Sequence, residues 1–156
     1  AGELDEKMMD TIAELQVPYI IMHMKGTPSN MQKKPTYADV TAEIISYFQQ
    51  KIKKLHTKGI KDIIIDPGFG FGKTLAHNYQ LLNELEKFKQ FGIPILVGTS
   101  RKSMIYKLLD NSPEQALNGT SITNTLALEK GATILRVHDV KEALECIKIT
   151  TFAKNI

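Results

Sequence analysis

The chain has 156 residues, 42% of them apolar and 24% charged, which suits one globular domain with a sizeable core. Lys plus Arg number 20 and Asp plus Glu 17, and a net charge of +3 leaves no electrostatic footprint for nucleic acid, although a few converging basic groups still suit a local anion. No apolar run approaches the roughly 18 residues of a membrane span, the acidic opening AGELDEKMMD does not read as a signal peptide, and the single Cys146 excludes a disulfide framework and a zinc finger. The expected compartment is the cytoplasm. The first residue is alanine rather than methionine, which reads as a segment excised from something longer.

In chain order the pattern alternates between helices and short β-branched runs. Leu4, Met8, Ile12 and Leu15 share one helical face before the first run, Val17–Met24. Val40, Ile44, Phe48, Ile52 and Leu55 mark the next helix, followed by the run Ile60–Ile65. Leu75, Tyr79, Leu82, Leu85 and Phe88 predict a third helix before Ile93–Val97. Ser112-Pro113-Glu114-Gln115 reads as a capping box with proline at the first helical position, and Asp139 with Glu142 as a second box opening the last helix after Ala132–Val137. Gly59, Gly92 and Gly131 fall where left-handed helix caps are wanted. The four runs are continuous rather than alternating, as in strands buried on both faces of a parallel sheet. This order predicts an α/β protein, either a doubly wound sheet or part of a (β/α)8 barrel, which typically needs about 250 residues.

Polar and glycine-rich residues concentrate just after these strands, where parallel α/β folds bind ligands. The second run ends in Asp66-Pro67-Gly68-Phe69-Gly70-Phe71-Gly72-Lys73, which fits neither a Walker A loop nor the dinucleotide pattern G-x-G-x-x-G. Asp66 reads either as a fork accepting two N–H groups from an amidine-like heterocycle edge or as a turn aspartate. The glycines read as a close approach of backbone to a flat ligand, with Phe69 or Phe71 offering a ring face, or as a turn needing positive φ. Gly98, Ser100, Arg101 and Lys102 follow the third strand, where the two basic residues become candidates for a ligand charge. Arg136 and His138 alternate across Val137 and so share one side of their strand, a suitable clamp for phosphate or diphosphate. The competing reading pairs Arg136 with a helix-end carboxylate such as Asp139. Met22 and Met24 read as pocket lining or as core, His23 as structural, and His56 and His77 as surface.

Three long motifs resemble dihydropteroate synthase: DPGFGFGKT-x-x-HN from Asp66, VG-x-SRKS from Val97 and RVHDV from Arg136. MHM-x-G-x-P, from Met22 to Pro28, also matches. The resemblance covers essentially the whole chain, residues 1–156, and implies a pterin-binding TIM barrel of folate biosynthesis, in a family that is a target of sulfonamides. It implies a transferase that joins 6-hydroxymethyl-7,8-dihydropterin diphosphate to p-aminobenzoate with Mg2+. Asp66 would hold the amino-pyrimidine edge of the pterin, with Met22 and Gly98 lining its slot. Phe71 and Ser100 would flank p-aminobenzoate, Lys102 would lie between the two substrates, Arg136 would stack near the pterin and reach the diphosphate, and His138 would bind diphosphate oxygens. Lys102, Arg136 and His138 are the expected catalytic residues.

The family's N-terminal N-V-T-P-D-S-F motif and its D-I-G-x-E-S-T-R-P segment are absent from the 156 residues. The chain therefore reads as the C-terminal half of the barrel, strands five to eight preceded by a helix, with the protein ligand of Mg2+ outside it. Opening a barrel exposes strand edges and an apolar interior, so a second copy or the N-terminal half is expected to cover them, and the isolated chain is expected to turn over little or nothing. The alternatives are a pterin-dependent methyltransferase barrel and a non-catalytic α/β fragment that binds a small anion.

Overall fold

The computed structural model describes residues 5–26 and 35–156. Leu4, Thr27 and Pro28 lie outside the described residues. Twelve elements follow one another: α1 (Met8–Leu15), β1 (Tyr19–Met22), α2 (Val40–Thr57), β2 (Ile63–Asp66), α3 (Leu75–Asn83), a 3-10 segment (Leu85–Phe91), β3 (Leu96–Val97), α4 (Ser103–Tyr106), a 3-10 turn (Pro113–Gln115), α5 (Leu117–Glu129), β4 (Ile134–Leu135) and α6 (Val140–Lys154). The strands are shorter than the apolar runs that announce them, because only part of each run is laddered.

Each strand is parallel to the next. β1 pairs with β2 from Tyr19↔Ile63 to Met22↔Asp66, a single parallel bridge joins Ile65 to Ile95, and β3 pairs with β4 at Leu96↔Ile134 and Val97↔Leu135. A doubly wound sheet reverses its strand order at a switch point. The order here runs 1-2-3-4 without reversal, as consecutive βα units of a barrel do. The architecture is therefore a partial barrel of four βα units preceded by a helix.

Side chains alternate across the sheet. Tyr19, Ile21, Ile63 and Ile65 are buried on the face that the helices cover. Ile20, on the opposite face, is 49% exposed, so that interior side is open in this chain. The helical cover behaves as its periodicity predicts for α2, where Val40, Ile44, Phe48, Ile52 and Leu55 are all buried. Asp39 caps that helix by accepting N–H bonds from Thr41 (2.9 Å) and Ala42 (3.0 Å). Phe48 stands edge-on to Phe88, with centroids 6.0 Å apart, and tilted against Tyr47 at 5.3 Å.

Four local expectations are corrected. In α1 the buried residue is Met9, while Met8 and Ile12 of the expected face pack against the core only partly buried and Leu15 is exposed. The third predicted helix ends at Asn83 and continues as 3-10 turns, which still bury Leu85 and Phe88. Asp139 precedes α6 but caps nothing, since its carboxylate is held by Arg101. The Ser112 box forms on the 3-10 turn ahead of α5 rather than on α5 itself. Gly59, Gly92 and Gly131 all adopt positive φ at helix ends.

Truncating Phe48, which is fully buried among aromatic rings, is expected to cost about 3–5 kcal/mol. Urea unfolding of Phe48→Ala checks this, and a loss below about 1 kcal/mol would mean that this layer is not the core.

Candidate functional site

The parallel register that pairs Met22 with Asp66 puts both at the carboxyl end of the sheet, where the loops after β3 and β4 also arrive. The Asp66 side chain is buried, and its Oδ1 accepts the Gly68 N–H at 2.8 Å. Its Oδ2 faces Arg136 Nη2 at 3.9 Å, and that arginine is half exposed. Burial pushes the Asp66 carboxyl above the ordinary range, opposed by the Gly68 N–H and by the charges of Arg136, Lys102 and Lys73.

The loop after Asp66 must lie close to the end of β1. A side chain at Gly68, which has φ +73°, would meet the His23 carbonyl oxygen at 1.9 Å. Lys73 holds this loop from below. Its buried ammonium donates to Gly68 O (2.8 Å) and Phe71 O (3.2 Å) and lies 3.1 Å from His23 Nδ1. Asn78 holds it from the side: Oδ1 accepts the Gly70 N–H at 2.7 Å while Nδ2 donates to Thr74 O. Burial lowers the Lys73 amine to about 7, with Asp66 pulling it up and Lys102 pushing it down. Burial, Lys73 and Lys25 together depress His23 to about 3, so its ring is neutral.

Lys102, on the loop after β3, donates to the Phe69 carbonyl and lies 4.7 Å over the centre of the Phe71 ring. Burial lowers its amine to about 8, raised by Asp66 and lowered by Arg136. Gly98, Ser100, Lys102, Arg136, Val137 and His138 line one cavity of about 340 Å3. The Arg136 guanidinium lies directly on Gly98, where a Cβ would meet Nη2 at 2.9 Å.

Two neighbouring residues tie the β3 and β4 loops together. Ser100 Oγ accepts the His138 backbone N–H at 3.2 Å and lies 2.9 Å from its Nδ1. Arg101, at φ +52°, turns away from the cavity and grips Asp139 with two parallel bonds of 2.8 and 2.9 Å, while Nη1 donates to Pro113 O and Glu114 O. Arg101 is therefore not a free ligand charge. Asp139 is its partner, and Arg136 faces Asp66 instead.

The structure thus brings Met22, Asp66, Phe71, Gly98, Ser100, Lys102, Arg136 and His138 to one mouth. Lys73 and Asn78 were hidden from sequence reasoning, although a lysine closing a glycine run that fits no nucleotide loop was a usable signal. His77 is not simply surface: its Nδ1 accepts the Thr74 N–H and completes the cap of α3. Among the described residues no group of three or more His, Cys, Asp or Glu is placed to hold a metal ion. Mg2+ takes hard oxygen donors, and this largely cationic lining does not fit it.

A neutral isostere at Asp66 tests the electrostatics. A carboxyl whose folded pKa is raised costs stability once it ionises, above its unfolded pKa, and favours the fold only at lower pH. Asp66→Asn keeps an acceptor for Gly68 and is expected to leave the urea midpoint at pH 7 unchanged or higher. A clear fall in that midpoint would overturn the burial account.

Comparison with known proteins agrees with this geometry. The model of the pterin binding enzyme family matches residues 1–138. The dihydropteroate synthase of Escherichia coli strain K12 is 46% identical over 143 residues, covering 90% of this chain and 51% of its own length. The chain spans about half the length of such curated relatives. The Yersinia pestis dihydropteroate synthase, solved as a sulfonamide drug complex, superposes with a TM-score of 0.93 at 43% identity, over 95% of this chain and 55% of that one. The Xanthomonas albilineans enzyme in complex with 7,8-dihydropteroate gives 0.89 at 35% identity, over 97% and 56%. With the family model matching residues 1–138, which end just ahead of α6, and the buried Asp66 set beneath a cationic rim, the chain belongs to the pterin-binding enzymes.

Proposed function

We propose that this chain carries the pterin- and diphosphate-binding half of a dihydropteroate synthase, the C-terminal half of its barrel. The observation that carries the reading is the buried Asp66 carboxylate lying beneath Arg136, in a mouth shared with Lys102 and His138. The names of the relatives support the synthase over a pterin-dependent methyltransferase, as does the cationic, serine-flanked loop after β3.

In this reading Asp66 accepts two N–H groups from the amino-pyrimidine edge of the pterin. Met22 and Gly98 line the slot, and Arg136 stacks on the ring and reaches the diphosphate. His138 donates to diphosphate oxygens, and Phe71 and Ser100 flank p-aminobenzoate. Lys102 sits between the two substrates. The C–O bond between the pterin methylene and the diphosphate breaks, and its electron pair leaves with pyrophosphate. Positive charges already in place stabilise that growing anion without reorganising. The arylamine lone pair then forms the C–N bond to the methylene, and one proton is released. No protein nucleophile takes part. The family resemblance puts the protein ligand of Mg2+ in a segment outside this chain, and no step here passes through the metal.

The open interior face, marked by exposed Ile20, calls for a cover, either the other half of the barrel or a second copy. No helix among the described residues is long and apolar enough to cross a membrane, and the one cysteine is free and buried, which supports a cytoplasmic reading.

Two measurements test the proposal. Calorimetric titration of the natural polypeptide that carries this sequence should show binding of the pterin diphosphate and synthase turnover, with little or none from the 156-residue chain alone. Comparable turnover by the isolated chain would show that the missing half is not needed, and absence of both activities from the natural polypeptide would sink the reading. Pyrophosphate affinity should fall as pH rises through about 8, where Lys102 loses its charge, and Lys102→Met should flatten that fall.

A further inference from the structure

Lys73 lines neither the cavity nor its rim, yet it is a buried cation with a complete set of partners. An ammonium has three N–H donors. Gly68 O, Phe71 O and His23 Nδ1 are the three acceptors at 2.8, 3.2 and 3.1 Å. With Lys73 as an ammonium, His23 accepts at an unprotonated Nδ1 and its ring proton sits on Nε2. That ring is braced by Tyr47, edge-on at 5.1 Å, and the His23 backbone N–H bonds to Asp66 O. One end of the arrangement is thus anchored on β1.

The other end brackets a four-residue span. Gly68 and Phe71 are the first and last residues of a turn closed by the bond from Phe71 N–H to Gly68 O at 3.1 Å. Within that span lie both groups that seat Lys102, the Phe69 carbonyl and the Phe71 ring. The lysine that faces the cavity is therefore located by a second lysine that does not. An apolar residue at 73 would take the lysine donor from the Phe71 carbonyl and leave Gly68 O with only the Phe71 N–H, which is costly where water is excluded.

We propose that Lys73 is a positioning residue, whose three-point hold on Gly68, Phe71 and His23 fixes the turn on which Lys102 is seated. The proposal concerns this chain's own loop. It stands whether or not the substrates are those named above. Asp66 and Arg136 carry the charges that act on Lys102, Lys102 in turn lowers Lys73, and His138 shares the cavity of Lys102.

The test is made on the natural polypeptide that carries this sequence, without substrate, so that its outcome is independent of the synthase reading. Amide hydrogen exchange at Gly70 and Phe71 reports the turn, and competitive acetylation of lysines across pH 6–10 reports the midpoint of Lys102. In Lys73→Met the two amides should lose protection by about tenfold, roughly 1.4 kcal/mol in local opening, while Ile21 and Ile65 in the sheet keep theirs. The Lys102 midpoint should rise toward the ordinary range near 10.4. A rise with the amides still protected would be only the removal of a like charge, and would overturn the proposal. Uniform loss of protection through the sheet would overturn it too, by making Lys73 a general stability group. If Lys73→Met does not fold, His23→Leu keeps the charge and two of three acceptors, and should loosen the same two amides by a smaller factor. No change there, or loss of the fold in both variants, would count against the proposal.

Discussion

A carboxylate taken out of water dominates the mouth of this sheet. Asp66 is buried, and burial alone disfavours its charge. Arg136, Lys102 and Lys73 surround it. The two lysines lose much of their own basicity to burial; the charge of Lys102 lowers Lys73 further, the charge of Arg136 lowers Lys102 further, and Asp66 restores part of both. The glycine-rich loop exists to let backbone reach this point: Gly68 supplies an N–H to the carboxylate while lying against the His23 carbonyl.

The loops after β3 and β4 are fastened as a pair of adjacent residues on a pair of adjacent residues. Ser100 holds His138, and Arg101 holds Asp139. Neither β3 nor β4 has more than two laddered residues, so the strands alone would place these loops loosely. The side-chain fastening replaces the missing ladder. It also couples the place of His138 to the loop that carries Lys102, so the two side chains are positioned together.

Much of this was legible in the sequence because the relevant signals are local. The apolar rows of α2, the strand-end position of Asp66 and the Arg136–His138 alternation depend on residue spacing within one element. What escaped depends on partners far apart in the chain. The box at Asp139 and Glu142 obeys the local rule, yet Arg101, 38 residues away, takes the carboxylate. Lys73 stands in the sequence only as the end of the glycine run; its partner His23 is 50 residues away and is brought to it by β1. The alternation of helix and strand alone left a doubly wound sheet and a barrel both open, because it does not encode strand order; the resemblance of the strand-end motifs pointed to the barrel, and the bridge from Ile65 to Ile95 fits it.

Arg136 rests on Gly98, a position with no side chain, and its far face remains half open. A methyl group at 98 would meet only the flexible tip of the arginine, so the sheet would survive the change while the guanidinium would be lifted off it. The floor of the recess is thus bare peptide. The position of that floor is set by backbone geometry, so any adjustment of the recess falls to the arginine above it.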